Sequence, residues 1–178
     1  RLDMLDLLTK DSGDRDARLK LRQLVASLLS GQLTELGFEP RAGESQNDIQ
    51  RRALLIGVLG NVARVEDVIS AAKRFATIEQ KDPVAVDPNL AGVFVAVAAK
   101  FGDETDFDRW VQTFVDRKQA GRTPQEVARY LHTLSVFRRP GLAEKTLALI
   151  EDGAIPQEAL AQVLGQLLAY RHSQESAW

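Results

Sequence analysis

Two histidines, His132 and His172, and 25 acidic side chains are the groups with which this 178-residue chain could do chemistry, and it has no cysteine. A metal hydrolase needs three or four convergent ligands, and no HExxH pair is present. Nor is there a glycine-rich phosphate loop or a GxSxG nucleophile elbow. His132 falls beside Arg129 and Ser135 on the less apolar side of its helix, and His172 lies in a turn, so both read as ordinary polar residues. Asp103, Glu104, Asp106 and Asp108 form an acidic run at a helix N-terminus, where the helix dipole favours negative charge. A calcium loop would need the EF-hand ligand order and its glycine, and neither is there. No catalytic residue and no metal ligand is expected in this chain.

The arginine pairs Arg51-Arg52 and Arg138-Arg139 have the chemistry to hold a phosphate or a carboxylate. A solvated helix face accounts for three of the four. Arg52 is different, because it precedes the apolar core of its helix and shares the first turns with Glu44. That placement points either to a partly buried ion pair or to a ligand contact, and Glu44 and Arg52 are the candidate site residues. Trp110 and Trp178 have helical company and read as packing residues, not stacking platforms.

These residues must be positioned by helices. The segment from Leu36 to Asn61 contains a helix end, a loop and a second helix. Leu36 closes an apolar periodicity, Gly37 supplies a left-handed backbone, and Pro40 prevents continuation. Ser45 caps the next helix, with Asp48 three residues on. From Ala53 to Val62 that helix is apolar almost all round, and Gly57 and Gly60 leave room for a neighbour's backbone.

Before it, residues 1 to 10 predict a short helix carrying Leu2, Met4, Leu5 and Leu8. Asp14 then caps a longer one with Leu21, Leu24, Val25, Leu28 and Leu36 on one face. After it, Val65, Val68, Ile69, Ala72 and Ala76 make a stripe opposed by Glu66, Asp67, Lys73 and Arg74. A loop over Glu79 to Val86 leads to a cap at Asp87-Pro88 and a helix with Leu90, Val93, Phe94, Val97 and Phe101. Phe107, Trp110, Val111 and Phe114 mark the next, from about Glu104 to Lys118. Thr123, Pro124 and Glu126 predict a capping box before Val127, Tyr130, Leu131 and Leu134. Pro140 and Pro156 start two more helices, the first carrying Ala143, Leu147 and Ile150 and the second Leu160, Val163, Leu164 and Leu167.

No strand pattern appears, so the fold class is all-α. Mostly apolar helices are each followed by an amphipathic partner, and aligning the turns places Gly60, Phe101, Phe137 and Tyr170 in register. A period of about 33 to 42 residues is that of a HEAT or armadillo solenoid, a right-handed superhelix of stacked antiparallel helix pairs. Residues 1–178 are expected to form one helical repeat domain cut from a longer chain. In it 1–44 supply leading helices and a loop, and 45–178 the helix pairs, the last truncated.

With 44% hydrophobic residues the chain can build a core, and 23 basic against 25 acidic residues give a net charge of -2. That balance excludes a phosphate-neutralising surface, so nucleic acid is not an expected partner. No apolar run approaches the roughly 20 residues that cross a bilayer, and no signal peptide is evident. A soluble chain with no membrane partner is expected. Absence of cysteine leaves the compartment open, with the cytoplasm favoured.

The stretch Leu36-Gly37-Phe38-Glu39-Pro40, then Gly43-Glu44-Ser45 and Arg52-Ala53-Leu54, resembles the C-terminal helical domain of the M1 family of zinc aminopeptidases. That family includes aminopeptidase N and the endoplasmic-reticulum and puromycin-sensitive enzymes. Its leucine-glycine-aromatic segment, glycine-glutamate loop and arginine-bearing helix are the matching parts. Ala177-Trp178 is similar to an alanine-tryptophan that opens a last helix there. Phe38 stands where tryptophan is common, and a one-residue slip would make Arg51 the family arginine.

The resemblance implies a parent enzyme that removes N-terminal residues from peptides with a zinc held in an absent catalytic domain. The present segment would carry no cofactor. Its partners would be that catalytic domain and the peptide, over which the helices form a bowl that limits access. Glu44 and Arg52 would hold the loop to the helix or face the cavity. A free-standing helical-repeat scaffold that binds another protein is the alternative.

Overall fold

A computed structural model describes residues 15–169, and the chain groups into two compact units, Arg1–Val97 and Ala98–Trp178. The helix expected over residues 1–10, the Asp14 cap, Tyr170, His172, Ala177 and Trp178 lie outside the described residues. Among the described residues every regular element is a helix, so the fold class is all-α as the periodicity predicts. In chain order these are α1 (Arg15–Leu36), α2 (Gln46–Val58), α3 (Glu66–Lys81), α4 (Pro88–Lys100), α5 (Glu104–Gln119), α6 (Pro124–Thr133), α7 (Leu142–Glu151) and α8 (Gln157–Ala169). A π-helical turn, Leu59–Ala63, extends α2, and a 3₁₀ turn, Leu134–Val136, extends α6.

In the first unit, α1 ends where Gly37 takes φ +73° and donates its N–H to the Leu33 carbonyl at 2.8 Å. The residues between Leu36 and Gln46 then turn the chain so that α2 packs back on α1. Ser45 caps α2, its hydroxyl accepting the Asp48 N–H at 3.2 Å. Ile56, Leu59 and Val62 are buried with Val25 and Leu33 of α1. Phe75 of α3 stacks on Phe94 of α4 with ring centroids 4.5 Å apart and meets Phe38 at 6.4 Å.

Four expectations need correction here. The apolar face expected for α1 includes Leu24 and Leu28, which are 55% and 62% exposed, while Leu33 is buried. Full burial falls on Val25 and Leu33, eight residues and close to two turns apart on one side of α1. α2 is not buried all round, since Leu54 is 70% exposed. Gly57 and Gly60 make room for the side chains of Val93 and Val97, not for a backbone. And α3 runs on to Lys81, so Glu79 is a fully buried helical residue and not the start of a loop.

In the second unit, α5 starts at a capping box, with Asp103 accepting the Asp106 N–H and Asp106 accepting the Asp103 N–H. It ends before Gly121, at φ +62°. A second capping box, Thr123 with Glu126, opens α6, and Pro124 sits in its first turn. The short turn between them folds α6 back onto α5. Trp110 lies edge-on to Tyr130 and Phe137 at 5.6 and 5.7 Å, and Phe107 meets Phe137 at 5.3 Å.

The 3₁₀ turn after α6 is touched by α5, α7 and α8, so it is the hub of this unit. α7 begins at Leu142, after Gly141 at φ +83°, two residues later than Pro140 suggested. Its buried residues are Leu142, Ala143 and Thr146, whereas Leu147 and Ile150 are only half-buried. Gly60, Phe101 and Phe137, the positions aligned by the repeat, fall in the π turn, just after α4 and just after the 3₁₀ turn. In each case a short connection leads into an amphipathic partner helix.

Candidate functional site

The candidate pair sits where the end of α1, the loop and the start of α2 meet. Arg52 is in the second turn of α2, and its side chain is fully buried. Its Nη1 donates to Glu44 Oε2 at 2.7 Å and its Nη2 to Oε1 at 2.6 Å, the two-pronged geometry that a planar guanidinium and a carboxylate share. Nε donates to the Gly37 carbonyl at 3.0 Å, and Nη2 also to the Leu36 carbonyl at 3.0 Å. Four hydrogen bonds therefore radiate from one guanidinium.

One of these acceptors is the last carbonyl of α1, which a helix end leaves without an intrahelical partner, and another is the carbonyl of Gly37 just beyond it. Arg52 thus works as a side-chain cap of α1 supplied by α2. Glu44, whose side chain is 10% exposed, also accepts the Arg41 N–H at 3.3 Å. Its carboxyl is held below the ordinary 4.5, chiefly by the Arg52 hydrogen bonds, with burial opposing and the Arg41 N–H assisting. Arg41 in turn donates to the Glu35 carbonyl at 2.7 Å, so a second arginine secures the end of α1.

The arginine that reaches Glu44 is Arg52. Arg51 points outward and donates to Gln32 of α1 at 2.7 Å. Gln32 and Arg41 are partners that spacing alone does not reveal, since the loop path decides them. The Gly37–Phe38 end of this loop also lines an apolar hollow of about 350 Å³ with Leu33, Leu59, Val65 and Val68, in which Asp67 is the one charged residue.

The other residues with chemical potential are spent locally. Asp103 and Asp106 are in their capping box, and Lys145 of α7 reaches Glu104 at 2.7 Å and Asp108 at 3.1 Å. His132 is half-buried, and burial pulls its pKa below the ordinary 6.5. Its neighbour Ser135, placed on a polar side by the sequence, is buried and donates to Gln166 of α8 at 2.6 Å. Trp110 is a core residue. Arg139 is exposed and Arg138 half-buried. Arg117, which the sequence did not single out, is buried 4.6 Å from the Tyr130 ring. Among the described residues no group of three or more His, Cys, Asp or Glu is placed to hold a metal ion. Among them, too, no helix is long and apolar enough to cross a membrane.

Residues 2–178 match the family described as the ERAP1-like C-terminal domain. The chain belongs to that family. It is also 27% identical over 169 residues to aminopeptidase 2 of Candida albicans, a match covering 93% of this chain and 18% of the relative. The chain therefore spans less than a fifth of the length of that relative. The resemblance carried by Leu36–Pro40, Gly43–Ser45 and Arg52–Leu54 is upheld: this is a C-terminal domain of the M1 aminopeptidase kind. In this ERAP1-like domain the conspicuous buried charge pair joins the loop to two successive helices.

Proposed function

We propose that the chain is the non-catalytic C-terminal domain of a zinc-dependent aminopeptidase, an enzyme that removes N-terminal residues from peptides. Its helices form the bowl over an active site housed in another domain of the same polypeptide, limit access to it and contact the peptide. The observation that carries this reading is the family match across residues 2–178. Zinc belongs to the catalytic domain, in keeping with a sequence that has no HExxH. Within the bowl, Glu44 and Arg52 act as an internal clasp that sets the angle between α1 and α2, so their effect on peptide binding is through shape.

The test uses the full-length gene product and the 178-residue chain side by side, with peptides of increasing length. The full-length protein should release N-terminal residues in a chelator-sensitive way, and the chain alone should release none. Turnover by the chain alone, or none by the full-length protein, overturns the proposal.

A further inference from the structure

The hollow of about 350 Å³ in the first unit, between the end of α1, the π-helical turn and the start of α3, has no role in the function proposed above. In its wall Leu33, Leu59 and Val68 are buried, with Phe38 and Val65 half-buried beside them. The Phe38 ring meets the Phe75 ring of α3 at 6.4 Å, which steadies it as part of the wall. Leu59 opens the π turn, and the Val65 N–H donates to its carbonyl at 3.0 Å, so these two wall residues are tied together. Between them Arg64 takes φ +57°, a conformation that residues with a side chain rarely adopt. Such π turns and left-handed residues concentrate at functional sites, where the surrounding fold holds them in place.

The polar groups of the wall suit a donor and not an anion. The Thr34 hydroxyl gives its proton to the Ser30 carbonyl at 3.0 Å, which leaves its oxygen free to accept. The Ser30 hydroxyl and the Asp67 carboxylate have no hydrogen bond or ion pair among the described residues. No basic residue stands among the described residues of the wall, so Asp67 is the only charge there. Its place in the first turn of α3 explains why an acid is tolerated, but a helix end does not require an aromatic ring and an apolar hollow beside it.

An apolar hollow with one aromatic wall and one unpaired carboxylate is the chemistry that selects an organic cation over a neutral molecule of the same shape. We propose that this hollow binds a small amine with an apolar body. The body fills the space between Leu33, Phe38, Leu59 and Val68, and the ammonium meets the Asp67 carboxylate. The proposal does not rest on the aminopeptidase reading, because it concerns binding and not turnover.

Calorimetric titration of the full-length protein tests it with two matched pairs: hexylamine against 1-hexanol, and 2-phenylethylamine against 2-phenylethanol. At least one amine should bind about tenfold tighter than its alcohol, the scale of a charge-assisted contact. Asp67→Asn should remove that preference and leave the alcohol's affinity unchanged. Thr34→Trp, which fills the hollow from an exposed position on α1, should weaken amine and alcohol alike. A preference in the hexyl pair alone identifies an alkyl body, and one in the phenyl pair alone an aryl body. Equal affinity of amine and alcohol in both pairs, no binding by any of the four, or a preference that survives Asp67→Asn overturns the proposal.

Discussion

Replacing Arg52 by methionine removes a fully buried guanidinium from its two-pronged contact with Glu44 and from the carbonyls of Leu36 and Gly37. Methionine keeps much of the apolar stem, so the loss reads the polar contacts and not a large cavity. Three acceptors lose their donor: the Glu44 carboxylate and the carbonyls of Leu36 and Gly37. Each carbonyl left dry costs about 1–3 kcal/mol, and breaking a buried ion pair by removing one partner costs about 3–5 kcal/mol in all. The two figures describe overlapping losses, so the lower part of the second range is the expectation, about 3–4 kcal/mol. For a chain of this size each kcal/mol moves Tm by about 2–4 °C, which makes the shift on the order of 10 °C. Thermal and urea unfolding followed by circular dichroism are the assays. Arg51→Met is the control, and with one exposed hydrogen bond to lose it should cost less than about 1 kcal/mol. Adding Glu44→Gln to Arg52→Met should give a strongly non-additive cycle. If Arg52→Met unfolds within about 2 °C of the wild type, or Arg51→Met costs as much, Arg52 is not a clasp.

Glu44 titrates below its ordinary 4.5 in the folded chain. Its contribution is therefore fully present above the unfolded value and is lost as pH falls through the folded one, so the stability gap between wild type and Arg52→Met should narrow below about pH 4.5. His132 is also shifted down from 6.5, but by burial, which penalises its protonated form. The unfolded chain takes up that proton first, so stability should decline as pH falls below about 6.5, and His132→Gln should flatten the urea midpoint between pH 7.5 and 5.5. At Gly60 a Cβ would stand 2.7 Å from Val97 Cγ1, so Gly60→Ala should cost about 1–3 kcal/mol, and Val97→Ala in the same chain should recover part of it. Ser135→Ala removes a buried donor to Gln166 and should cost about 1 kcal/mol in urea unfolding.

The helices were legible because caps and periodicity are local. Ser45, Asp103 with Asp106, and Thr123 with Glu126 each state where a helix begins, and each is found capping one. Burial was less legible, since it depends on which neighbours arrive. Leu24 and Leu28 satisfy a helical stripe as well as Val25 and Leu33 do, yet only the second pair is covered. The π turn at Leu59–Ala63 leaves no mark in the sequence. It is visible only as the N–H groups of Arg64 and Val65 both reaching the Leu59 carbonyl, with Arg64 at φ +57°.

The Glu44–Arg52 pair shows where the boundary lies. Charge and apolar context singled out both residues, because an arginine at the edge of an apolar run must be paired or stay wet. What spacing could not supply is the third element, the end of α1. Arg52 is separated from Leu36 and Gly37 by 16 and 15 residues, and only the loop through Pro40 and Gly43 brings their carbonyls to Nη2 and Nε. Glycine is needed at that end for the same reason. At φ +73° Gly37 ends α1 with its carbonyl toward Arg52, and a Cβ there would be strained even though nothing stands within 4 Å of it. The glycine, the glutamate and the arginine are thus parts of one device that ties the end of α1 to the start of α2.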